Sequence, residues 1–144
     1  TDHEVGLLLG FLDEREDLHT LDDVVKALRE IPEYADAARK GYGPILIQGT
    51  GSARPGRMVV DMTGGTEGPI EALERLSQAG VGTLVGMHYS EEHRKRAEEL
   101  KLNLIVAGHI SSDVLGMNLI LDEMEKAGEL HIVCTSGMVR VKRS

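Results

Sequence analysis

Residues 81–121 read VGTLVGMHYSEEHRKRAEELKLNLIVAGHISSDVLGMNLIL, and the order of their apolar and charged runs decides the fold. Two apolar runs, 81–87 and 104–107, each stop at a histidine: the first at His88, the second at Gly108-His109. A charged helical run separates them and a longer helical run follows. Parallel strands need a crossover, and such crossovers are right-handed, so the two runs are expected to lie side by side and parallel. Both histidines then fall at the carboxyl edge of one sheet, which is where open α/β sheets bind ligands.

Working outward, the alternation continues in both directions. A strand is expected at 57–62, a helix at about 67–79, strands at 81–87 and 103–107, helices at about 90–100 and 112–127, a strand at 130–134 and an edge strand at 138–141. The run 44–48 is also β-type and faces 57–62 across the loop GTGSARPG, which suggests an antiparallel pair. Upstream the pattern is helical: 3–13, then LDDVVKALREI behind Thr20 as its cap, then PEYADAARKG between Pro32 and Gly41. The expectation is one α/β domain spanning 1–144. It has a helical part at 1–42 and a core at 43–144 with a mainly parallel sheet, alternating helices and antiparallel edge strands.

Composition narrows the function. The chain has 144 residues, 41% hydrophobic and 28% charged, with a formal net charge of −8. With 16 Lys and Arg against 24 Asp and Glu, there is no phosphate-neutralising surface for nucleic acid. A cationic small ligand or a metal fits better. The single Cys134 excludes a disulfide framework and a cysteine-based zinc site within one chain. No stretch approaches the roughly 18 to 20 apolar residues of a membrane span and no signal-peptide pattern leads the chain, so no membrane partner and a cytoplasmic location are expected. The chain starts at Thr1 rather than Met, as a processed or excised piece of a longer protein would.

Three strand ends carry polar groups in register: Asp61, His88 and His109, with Asp113 one helical turn beyond. Two imidazoles and two carboxylates suit zinc, manganese, iron or magnesium. Each has an ordinary reading too. Asp113 favours a helix N-terminus, His109 can satisfy backbone groups after a Gly turn, His88 can cap the helix that Ser90 starts, and Asp61 depends on strand phase. His93 reads as a solvated helix face. The turn MTGGTEGP places Gly64, Gly65 and Thr66 where amides could cradle an anionic ligand, although glycines also serve a sharp turn alone. Neither GxGxxG nor GxxxxGK[ST] spacing occurs, and Glu67 is a conceivable proton carrier without motif support.

The stretch GVGTLVGMHYSEEHRKRAEELKLNLIVAGHISSDVLGMNLILDEMEK resembles the Nif-three-like proteins, named after an Ngg-one-interacting factor. In that family a strand leads to a Gly-His followed four residues later by an acid, matched here by Gly108, His109 and Asp113. Where family members usually carry a His-His pair, His88 stands alone after Met87. The resemblance covers about 55–142. It implies binding of two metal ions by two related halves in a longer chain, and assembly into ring-like hexamers. This chain corresponds to about one half plus a helical part, so a homo-oligomer completing its site across an interface is expected. Two functions follow: a metal-dependent hydrolase-like protein, or a non-enzymatic metal- or ligand-binding module for regulation or assembly.

Overall fold

The computed structural model describes residues 2–62 and 68–143. Along the chain these form α1 (Asp2–Asp13), α2 (Leu21–Leu28), α3 (Pro32–Arg39), β1 (Ile45–Gln48), β2 (Arg57–Asp61), α4 (Glu71–Gln78), β3 (Val81–Gly86), α5 (Glu91–Glu99), β4 (Asn103–Val106) and α6 (His109–Ala127). Helix α2 starts where its sequence says. Thr20 accepts from the Asp23 amide through its hydroxyl, and the Asp23 carboxylate accepts from the Thr20 amide, closing a capping box that contributes about 1 kcal/mol.

One four-stranded sheet has the order β1-β4-β3-β2, with β2, β3 and β4 parallel and β1 antiparallel to β4. Adjacent residues of the inner strands point to opposite faces, as a pleated chain requires. Val85 and Ile105 join α1, α2, α3 and α6 in one core, while Leu84 and Leu104 meet α4 and α5 in another. The sheet is thus covered on both faces, and β3 is buried along nearly its whole length.

Two expectations about strands are corrected. The runs 44–48 and 57–62 do not pair: β1 and β2 lie at opposite edges, because β1 takes the place beside β4 that its antiparallel register with Val106, Ile105 and Leu104 provides. That placement also removes the strands expected at 130–134 and 138–141, since a further parallel strand leaving α6 would have needed the same edge of β4. Residues 129–143 form no strand. Ion pairs hold the end of this segment on the helices instead: Arg140 on Asp122 at 2.6 Å, Lys142 on Glu125 at 2.7 Å, and Arg143 on Glu33.

Candidate functional site

The two histidines meet because the ends of β3 and β4 are tied together. Beyond the ladder, the Ala107 amide donates to the Gly86 carbonyl at 2.8 Å. Gly86 is bare for a reason: a Cβ there would lie 2.6 Å from the Tyr89 hydroxyl, which folds back over the strand end. The chain then turns outward and exposes His88. After β4, Gly108 takes φ +110°, where a side chain is strained and would also meet the Ser111 hydroxyl at 2.7 Å. This turn lets α6 begin at His109 itself, three residues earlier than the sequence pattern indicates.

The result is a small exposed cluster. The His88 and His109 rings lie edge to edge, 5.4 Å apart between centroids with 16° between planes, and their Nδ1 atoms are 3.4 Å apart. On the other side of His109, Nε2 lies 3.4 Å from Oδ2 of Asp113, with side chains 42% and 59% exposed. A carboxylate facing Nε2 favours the tautomer with its proton there, which leaves the Nδ1 lone pair of His109 toward His88. His109 satisfies no backbone group through its ring among the described residues. Nor is His88 a cap, since the Ser90 hydroxyl takes that role by accepting from the His93 amide.

Both histidines open onto a cleft of about 480 Å³, whose walls include Tyr42, Ile45, Met87, Val106 and Ile110. The sequence gives no signal for Tyr42 or Ile45. They arrive from the α3–β1 connection, which only the antiparallel placement of β1 brings to this edge. Asp61 ends β2, one strand beyond β3, and pairs with Gly86. Val60 and Met62 point into the α1–α2–α3–α6 core, so Asp61 points to the other face, its carboxylate 3.9 Å from where a Cβ of Gly68 would stand. Gly64, Gly65, Thr66 and Glu67 lie outside the described residues.

His93 is not a merely solvated residue. Its Nε2 donates to the Gly68 carbonyl at 2.7 Å, and the Ser90 hydroxyl lies 2.9 Å from Nδ1, so the ring ties α5 to the end of the glycine-rich turn. Its partner is 25 residues distant, beyond the reach of local pattern.

Donor chemistry at the cluster fits a metal in part. Two nitrogens bound to one zinc at about 2.0 to 2.1 Å with tetrahedral angles stand roughly 3.4 Å apart, which is the separation of the two Nδ1 atoms. A complete site needs more. Among the described residues no three His, Cys, Asp or Glu side chains group as a metal site.

No family profile and no curated protein matches the chain. Solved structures do. The NIF3 superfamily protein from Sphaerobacter thermophilus is 26% identical with a TM-score of 0.69, over 88% of this chain and 46% of that one. The Bacillus cereus protein related to NIF3 is 15% identical with a TM-score of 0.56, over 88% of this chain and 34% of that one. Staphylococcus aureus protein SA1388 is 17% identical with a TM-score of 0.55, over 89% and 36%. The last two show the same fold. The resemblance to the Nif-three-like proteins therefore stands, and it extends upstream of residue 55, into the N-terminal helices. The chain spans about half the length, or less, of these structures.

Proposed function

We propose that this chain is a metal-binding protein of Nif-three-like type, with His88 and His109 as paired nitrogen donors and Asp113 beside them. One observation carries this: two imidazoles meet Nδ1 to Nδ1 on the rim of an open cleft, with a carboxylate on the far nitrogen of one of them. A divalent ion held there supplies a Lewis acid, able to polarise a phosphoryl or acyl oxygen. The protein's own groups do the rest. Asp113, 3.4 Å from His109 Nε2, stands where a carboxylate orients a metal-ligating histidine, and it would become a direct donor if its side chain turned. Tyr42, Ile45 and Ile110 give one side of the cleft an apolar, solvent-exposed wall. Asp61 remains a candidate donor at the neighbouring strand end, and Gly64, Gly65 and Thr66 a candidate seat for an anionic group.

Hydrolysis is the activity this arrangement suits, because the site faces solvent and leaves positions open. Among the described residues that line the cleft there is no carboxylate and no lysine, which favours the second reading, a metal-dependent binding module. In either case the site needs further donors, and we propose self-association as one source of them. Elemental analysis of untagged protein purified without chelator tests the site. About one equivalent of zinc, manganese or iron is expected, and no metal, with no uptake from added salts, would exclude it. A panel of phosphoester and amide substrates then separates the two readings by metal-dependent turnover.

A further inference from the structure

Helix α1 carries an acid in its first turn, an end that favours negative charge, but an exposed carboxylate would serve that end equally well. Glu4 is instead 3% exposed, and its Oε1 has no hydrogen-bond partner. Its neighbour on α6 is a second concession by the fold. Gly116 lies inside a 19-residue helix, where glycine is unfavourable, and a Cβ there would stand 3.1 Å from Glu4 Oε2. Both residues line an open cavity of about 240 Å³ between α1 and α6, with Leu119, Ile120 and Met124 as its apolar walls. Glu123, also in the lining, is paired with Lys126 at 2.6 Å, so Glu4 is the carboxylate left over. None of these residues lines the histidine cleft.

We propose that this cavity binds a small aliphatic amine, its ammonium group donating to the Glu4 carboxylate and its hydrocarbon chain lying along Leu119, Ile120 and Met124. Charge selects the class. Burial raises the Glu4 pKa to about 7, the Asp113 and Glu33 carboxylates add to that rise, and among the described lining residues only His3 can turn positive. An anion is repelled there, and an alcohol leaves the buried charge uncompensated, whereas an ammonium pairs it and satisfies Oε1. A metal ion is a poor occupant, since His3, Glu4 and Glu123 do not group as ligands among the described residues. The apolar walls reward a chain of methylenes. The volume lies below the roughly 300 to 1,000 Å³ of drug-sized sites, which suits a ligand of about four to six carbons.

The test titrates the whole chain with n-pentylamine at about pH 8, where the amine is protonated and Glu4 ionised. Backbone amide shifts in proton–nitrogen correlation spectra are followed. Saturable shifts centred on Gly116 and Ile120 are expected, with a dissociation constant of about 1 mM or below. n-Pentanol and pentanoate should bind at least about 10-fold more weakly. Glu4→Gln keeps the shape and removes the charge, so it should weaken the amine about 10-fold or more and leave n-pentanol unchanged. Ile120→Trp fills the mouth from an exposed position and should abolish amine binding with Glu4 intact. No saturable shifts with the amine, or shifts centred elsewhere, overturn the site, as does full binding to Ile120→Trp. Equal affinity for amine and alcohol, or for wild type and Glu4→Gln, gives the carboxylate no role and overturns the ligand class.

Discussion

Two polar clusters share helix α6, and they are built on opposite terms. Along its middle and C-terminal half, the Glu33 side chain is fully buried and receives Arg143 Nη1 at 2.7 Å and Asn118 Nδ2 at 3.0 Å, while Asp122 receives Arg140 at 2.6 Å and the Arg143 amide at 3.2 Å. At its N-terminus His109 stands in solvent 3.4 Å from His88 on one side and 3.4 Å from Asp113 on the other, too far for strong hydrogen bonds. The charged groups of the first cluster are paired, only the Asn118 Oδ1 among its named side chains lacking a hydrogen-bond partner among the described residues, and Arg140 and Arg143 hold the Asp122 carboxylate below its ordinary range against the burial that would raise it. The second has spare lone pairs and room beside them. A polar cluster whose charges are paired within it serves the fold, whereas one left open is available to something else.

Removing Arg143 should break the closed cluster at the highest cost. Arg143→Ala leaves the buried Glu33 carboxylate with only Asn118, so we expect a loss of about 3 kcal/mol in urea unfolding, with metal content unchanged. The open cluster should behave the opposite way. His109→Ala is expected to cost under about 0.5 kcal/mol in chelator, yet to weaken metal binding about 100-fold, close to 2.7 kcal/mol. Metal should then raise the melting temperature of the wild type and not of the variant. Equal metal-induced shifts in the two proteins would place His109 with the structural cluster after all.

Glu4 lies between the two clusters and sharpens the contrast. It is 3% exposed, its Oε1 has no hydrogen-bond partner, and burial, with the Asp113 and Glu33 carboxylates adding to it, raises its pKa to about 7. A carboxyl with a raised folded pKa binds more protons folded than unfolded between about pH 4.5 and 7. Its stabilising contribution is therefore present at low pH and is lost as pH rises through 7. Glu4→Gln should remove that dependence, making the variant more stable than wild type at pH 8 by about 1 to 2 kcal/mol and no more stable at pH 5. Urea midpoints at the two pH values decide it, and a gain of the same size at both would show that charge is not the cause.

Much of this molecule follows from residues alone, for reasons of period. The 3.6-residue repeats, the Thr20 cap and the apolar runs before His88 and Gly108-His109 are local, so α2 to α5 and the parallel order of β2, β3 and β4 could be read directly. The same alternation that places strand ends at one edge fixes His88 and His109 as neighbours, and it places Asp113 one turn further on. Three things were not local. Which edge β1 occupies depends on pairing between residues 56 to 61 apart, and an apolar run such as 44–48 serves either edge equally well. That choice denied the segments 130–134 and 138–141 a strand partner, although their composition is that of strands, because strand formation needs an open ladder and not only propensity. It also brought Tyr42 and Ile45 to the cleft. Sequence determined which polar groups come to the sheet edge, since chain direction and pleat are enough for that. Only the tertiary structure decided what surrounds them and whether each polar group is already satisfied, because burial and hydrogen-bond partners are set by chain segments far away in sequence.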